Sequence, residues 1–260
     1  MDVLLIARQD DEVAHELCGL LKKRGKVALI LDGVSAARLF TVRSHGAVVT
    51  VSPQVPLFLR PSAWWTDTVV VDDDERFLRT ESYSTLWAAA ALSAAPVLNR
   101  PSERGLNGLM TGVAGNDEHN LDCGGSRPEI FASRSGELCE PDGLWGEDLG
   151  TYRRGPVRTL DPNSPIRARN VDATALYEVI AVVGERGFAS TDDPRTNTLA
   201  LVQRSVAIAK GIGLMFATIT WAIGQSGDAM LARINHGPTS AELQYSWSEV
   251  GEALCEELSV

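Results

Sequence analysis

Two polar side chains closing an apolar run are the first residues in this sequence with the types and spacing for chemistry. Residues 230–238 read MLARINHGP, so Arg233 and Asn235 alternate with Ile234 and share one face of an extended strand just before a Gly-Pro turn. A guanidinium beside an amide suits a carboxylate or a phosphate, which arginine grips in bidentate fashion. Both residues also have structural uses. Arg233 could pair with Glu178 or Glu185 on a neighbouring strand, and Asn235 could form the turn ahead of His236. We assign the pair as the candidate catalytic residues and keep both structural roles open.

The remaining candidates are weaker. NDEHNLDC at 116–123 holds Asp117, Glu118, His119, Asp122 and Cys123, but adjacent acids cannot easily face one ion and a solvated loop has this texture, so no metal site is assigned. Cys18, Cys123, Cys139 and Cys255 form no CxxC pair and no regular spacing. This argues against zinc and a disulfide framework, and for free thiols in a reducing, cytoplasmic compartment. No histidine is placed by local motif to activate Cys123 or Cys139. His15 is expected on the solvent side of the first helix, and Trp221 and Trp247 in the C-terminal core.

Composition sets the outer limits. At 260 residues, 44% apolar and 22% charged, the chain can bury a sizeable core and has an ordinary globular texture. A net charge of -10 opposes bulk attraction to nucleic acid or anionic lipid. Ser82–Asn99 and Gly211–Gly227 are uncharged but fall short of the roughly 20 largely apolar residues of a membrane span. The N-terminal MDVLLIARQDDE meets acid too soon for a signal peptide. Only Lys22, Lys23, Lys26 and Lys210 are lysines; all other basic residues are arginines.

The elements that must position the candidates follow from the apolar pattern. VLLIA at 3–7 and VALIL at 27–31 read as buried strands around a helix whose face is Val13, Leu17, Leu20 and Leu21, started by Asp10 to Glu12 and capped by Gly25. This is a βαβ unit with a parallel pair. Strands are expected at 47–51, 56–59, 68–71 and 96–99, and a helix over DDDERFLRTESYSTLWAAAALSAA. Residues 101–170 read as loop with a brief strand at 128–133 and one further strand. After them come a hairpin over 173–191, an amphipathic helix with Leu199, Val202, Val206 and Ala209 on one face, a second hairpin around Gly-Gln-Ser-Gly-Asp, and a final helix with Ser246 and Glu249 as its capping box.

The order of LNRPS at 98–102, ALYEVIAVVGERGFAS at 175–190, LMFATITW at 214–221 and LARINHGP at 231–238 resembles the ATP-grasp superfamily, and within it the ribosomal-peptide and glutamate ligases. The resemblance implies an α/β fold with a Rossmann-like pre-ATP-grasp domain at 1–100, a reduced, loop-rich middle at 101–170 and an ATP-grasp C-terminal subdomain of antiparallel strands and helices at 171–260. Family members activate a carboxylate with Mg·ATP and pass it to an amine, which needs oxygen ligands for Mg²⁺ and cations on the phosphates. Asn235 stands at the family's metal-ligand position, whereas Arg233 and Thr220 stand where the family carries acids. A guanidinium cannot ligate Mg²⁺.

No lysine occurs between Lys26 and Lys210, so Arg153, Arg154, Arg158, Arg167 and Arg169 are the cations available in the middle region. Arg60, Glu81, Arg153, Arg154, Arg169 and Arg186 are taken as the substrate-binding residues; for Arg60 and Glu81 a salt bridge between strand end and helix is the competing role. The expectation is an ATP-grasp-like protein that has lost Mg·ATP chemistry, needs no cofactor, and binds a peptide or small carboxylate as an oligomeric partner in a peptide-modifying system. Two alternatives stand: an active ATP-dependent carboxylate–amine ligase using ATP and Mg with non-standard ligands, and an ATP-independent enzyme reusing the cleft.

Overall fold

The computed structural model describes residues 1–46, 48–60, 72–101, 129–132, 144–148, 154–163, 165–170, 176–190, 198–224, 227 and 229–259. The strand expected at 68–71, the acidic stretch 116–123, Cys123, Cys139 and Arg153 lie outside them. The chain forms two compact units, one of Met1–Met110, Val179–Thr218 and Asn235–Val260, the other of Thr111–Glu178 and Ile219–Ile234.

The first unit opens with β1 (Val3–Ile6), α1 (Glu12–Lys23), β2 (Ala28–Leu31), α2 (Gly33–Ala37), β3 (Thr41–His45), β4 (Val48–Ser52), β5 (Leu57–Leu59), α3 (Asp73–Leu92) and β6 (Val97–Leu98). The expected βαβ opening is present: β1 pairs in parallel with β2 on one side and with β5 on the other, and the sheet order is β2-β1-β5-β6. All four residues of β1 are buried, as a central parallel strand requires. Asp11 caps α1 by accepting from the Ala14 N–H at 2.9 Å, Lys22 and Lys23 occupy its last turn, and Gly25 follows at φ +76°. The strand expected at 47–51 is present as β4, whereas the sequence pattern misses α2 and the partner strand β3, which is exposed along its whole length.

Within the same unit, the later segments complete the core. Phe58 of β5 meets Phe216 with ring centroids 5.6 Å apart, and Leu5, Leu17, Leu98, Val183, Leu243 and Leu254 pack in one cluster with them. On the other side of the parallel sheet, Leu4, Ile6, Leu57, Leu59, Leu86 and Ala89 form a second cluster. No helix among the described residues is long and apolar enough to cross a membrane.

In the second unit the middle of the chain carries more sheet than its loop-like composition suggests. Strands β7 (Glu129–Ala132), β8 (Leu144–Asp148), β9 (Arg154–Pro156) and β10 (Ile166–Asn170) form an antiparallel sheet in the order β7-β10-β8-β9. Its small core is Val157, Leu160, Ile166 and Ala168. Gly146 and Gly155 interrupt β8 and β9, and the three to five residues of each leave period-two alternation too short to read.

The last part of the chain is β11 (Leu176–Val183), β12 (Arg186–Ala189), α4 (Thr198–Gly211), β13 (Phe216–Ile223), β14 (Ala229–Asn235), α5 (Ser240–Leu243) and α6 (Trp247–Glu257). Both expected hairpins are present, and the sheet order is β12-β11-β13-β14. Two expectations are corrected. In α4 the buried positions are Leu201, Ser205, Ile208 and Ala209, while Leu199 is 72% exposed, so the buried stripe is rotated from the one the apolar residues suggest. The capping box belongs to α5, with Thr239 and Glu242, and not to α6, whose N-cap Ser246 makes no side-chain cap bond. The Ser246 hydroxyl donates to the Leu243 carbonyl, the end of the preceding turn, and is thereby withdrawn from α6.

Candidate functional site

In the first unit the strand order reverses between β1 and β5, and the carboxyl ends of these strands are where open α/β sheets hold ligands. Arg60 follows β5 directly, its N–H donating to the Ile6 carbonyl at 2.7 Å. Its Nε donates to Asp11 at 2.7 Å, with the two side chains only 10% and 7% exposed. Asp11 thus serves at once as the cap of α1 and as the counter-ion of Arg60. Arg60 Nη1 is buried with no hydrogen-bond partner among the described residues. The strand-end-to-helix ion pair that competes with substrate binding for Arg60 is therefore present, with Asp11 as the acid.

In the same unit, Glu242 gathers a polar cluster. Its carboxylate accepts from the Asn235 amide at 2.8 Å, from the Thr239 N–H and hydroxyl at 2.9 and 3.0 Å, and from the Thr218 hydroxyl at 3.3 Å. The Ser190 hydroxyl donates to the Glu242 carbonyl. Asn235, which is 4% exposed, accepts the Gly237 N–H at 3.2 Å, so it also forms the turn that sequence allows for it. Among the described residues no group of three or more His, Cys, Asp and Glu could hold a metal ion.

The other candidates are dispersed. Arg233 is half-buried in β14 and Thr220 half-buried on the neighbouring strand β13, both in the second unit. Glu185, one of the acids considered for Arg233, is bonded to Lys210 at 2.6 Å. Glu81 is exposed on α3. Arg186 binds Glu256 at 2.6 Å and the Ala253 carbonyl at 3.3 Å, both on α6. Arg154 and Arg169 belong to one sheet but to different rows: Arg154, Glu147 and Arg167 stand in one register row across β9, β8 and β10, and Arg169 lies opposite Trp145.

Two residues matter more than the sequence pattern indicates. Asn99, in LNRPS, is 1% exposed; its carbonyl oxygen accepts the Met215 and Phe216 N–H groups, each at 2.7 Å, and its amide donates to the Phe216 carbonyl at 2.7 Å. Arg100 beside it donates to the carbonyls of Ala90, Ala91, Ser93 and Ala95, satisfying the end of α3, which has no basic residue in its last turn. Glu242 is the other. Its capping-box spacing from Thr239 is a readable signal, but its reach to Asn235 is not.

No family model matches the sequence, and no curated protein matches it either. Solved structures do. The chain is similar over 100% of its length and 100% of the other to the macrocyclase MdnC from Microcystis aeruginosa MRC bound with precursor peptide MdnA, at 14% identity and a TM-score of 0.66. It is similar to the ATP-grasp ligase PsnB complexed with minimal precursor, at 15% identity and a TM-score of 0.64, covering 99% of this chain and 97% of that one. It is also similar to a RiPP-associated ATP-grasp ligase of Chryseobacterium gregarium in complex with ADP and a leader and core peptide, at 12% identity and a TM-score of 0.61, with 99% and 96% covered. Likeness of this kind, end to end and at low identity, is likeness of backbone architecture: the chain has the ATP-grasp fold.

Proposed function

We propose that this protein binds a peptide or a small carboxylate on an ATP-grasp fold without Mg·ATP chemistry, and acts as an oligomeric partner in a peptide-modifying, biosynthetic system. The observation that carries this reading is the state of Asn235. It is the residue at the expected metal positions that keeps the superfamily's ligand type, and it is committed to Glu242 and to its own turn, while Arg233 two residues earlier brings a positive charge. With Thr220 in place of an acid, the residues present do not make the oxygen-rich set that Mg²⁺ requires. Peptide binding is supported by the fold shared with MdnC and PsnB, whose structures contain precursor. Arg60, Glu81, Arg154, Arg169 and Arg186, with Arg153, are the substrate contacts under this proposal, Arg60 through its free Nη1.

One observation favours a second reading. The Glu242 carboxylate lies beside Asn235, supplied by α5 and not by a strand, so an active carboxylate–amine ligase could use it as a relocated acid.

Calorimetric titration with ATP, with and without Mg²⁺, decides between them. No saturable heat is expected for the wild type. Saturation in the micromolar range overturns the proposal in favour of the ligase. Arg233→Glu is measured alongside: Mg²⁺-dependent binding that appears only in the variant would tie the loss to the charge at 233.

A further inference from the structure

Helix α1 carries Glu12, Glu16 and Leu20 one turn apart, so the three form a ridge on one face of the helix. Both ends of the ridge are fixed against the C-terminal helices. The Ser240 hydroxyl, in the first turn of α5, donates to the Glu12 carboxylate. Leu20 packs with Trp247 against the core and lies so near α6 that a Cβ added to Gly251 would meet its Cδ1 at 2.5 Å. Between these anchors a cavity of about 370 Å³ opens, lined by Glu16, Ser240, Ala241, Gln244 and Trp247.

Glu16 is exposed and forms no hydrogen bond or ion pair with a described residue. The lining offers a carboxylate, an amide, a hydroxyl and an indole, and no basic side chain. An anion would be repelled by Glu16 and by the neighbouring Glu12, with no cation in the lining to offset them. A cation meets a carboxylate and an aromatic ring together, within a chain that carries 34 acidic against 24 basic residues. A planar guanidinium suits this combination better than an ammonium, since it can stack on the indole and still hold a carboxylate in its fork.

We propose that this cavity receives the arginine side chain of a peptide, its guanidinium held between the Glu16 carboxylate and the Trp247 ring. The inference rests on the peptide-binding reading for its ligand class and adds the residue recognised. It needs neither nucleotide nor metal.

The test is an NMR titration of the full chain with N-acetyl-arginine amide, following the indole N–H signal that Trp247→Phe removes. A saturable shift is expected, weakening with added salt, with affinity falling roughly fivefold in Glu16→Gln, the scale of one exposed charge contact. The uncharged isostere N-acetyl-citrulline amide is expected to produce no saturable shift. Glu16 is exposed and touches nothing that holds the fold, so Glu16→Gln should melt with the wild type. Equal binding of the citrulline compound, an unchanged affinity in Glu16→Gln, or no saturable shift with the arginine compound would overturn the site. An arginine-free and lysine-free peptide that binds while N-acetyl-arginine amide does not would sink the cavity proposal and spare the peptide reading. Saturable arginine-amide binding in a chain that binds no longer peptide would support the cavity and sink that reading.

Discussion

Asn235 and Glu242 are joined by a hydrogen bond of 2.8 Å that ties the end of β14 to the first turn of α5. The same Glu242 oxygen accepts the Thr239 N–H and hydroxyl, so strand end, turn and helix cap share one acceptor. Removing Asn235 should therefore loosen all three. Asn235→Ala is expected to destabilise by about 1–3 kcal/mol, the cost of leaving buried polar groups unpaired. Asn235→Asp should cost at least as much, because it replaces the donor facing Glu242 with a like charge. Urea unfolding of both variants and of Glu242→Gln checks this. An Asn235→Asp as stable as the wild type would mean that the pair does not hold the turn.

Asn99 makes three short hydrogen bonds to the backbone at the start of β13, across more than a hundred residues of chain. Asn99→Leu fills similar volume but leaves two N–H groups and a carbonyl without partners, and is expected to cost about 3 kcal/mol. A drop in the denaturant midpoint at unchanged m-value is the anticipated signature.

The Arg60–Asp11 pair is nearly buried, so cutting either partner strands a charge. Asp11→Ala also removes the α1 cap and should lower stability by about 3–5 kcal/mol. Arg60→Met should cost less, since Asp11 keeps its bond to the Ala14 N–H. In a double-mutant cycle the two are expected to couple by roughly 1–3 kcal/mol. Additive effects would show that the pair contributes nothing beyond its separate parts.

Asp32 gives a pH signature. Burial by itself would raise its pKa, but hydrogen bonds from the Ser35 N–H and hydroxyl and from the Val34 N–H outweigh burial and hold it below the ordinary value of 3.8. A carboxylate depressed on folding binds its proton more readily in the unfolded chain. Its stabilisation is complete above the ordinary value and is lost as the pH falls through the lower folded value. Asp32→Asn should flatten that part of the stability curve on acidification, measured as melting temperature against pH. An unchanged slope would place the acid sensitivity elsewhere.

Cys18 and Cys255 are both buried, and burial raises the Cys255 thiol above its ordinary range. Neither should react with iodoacetamide in the native protein near neutral pH, and both should react once urea unfolds it. Mass spectrometry of the two reactions reads this directly. Prompt native labelling of Cys255 would contradict its position in the core.

Much of the fold is legible in the sequence because local patterns there are strong. The continuous apolar runs of β1 and β2, the acid-to-base polarity of α1 and the two hairpins each depend on residues within a few positions of one another. The order of LNRPS, the paired hairpins and LARINHGP carries the superfamily resemblance for the same reason. In the middle sheet the strand expected at 128–133 is present as β7, but the pairing escapes, since partners lie up to about forty residues away in sequence. Asn99, Glu242 and the Arg60–Asp11 pair escape for a related reason. Their meaning lies in partners 117, 7 and 49 residues distant, and no local period records such distances. Sequence alone placed Arg233 and Asn235 on one face of a strand that ends in a Gly-Pro turn. Only the tertiary structure decided that Asn235 is held by a carboxylate from α5, and that Glu16 faces a cavity beside Trp247, because packing sets which distant groups share a space.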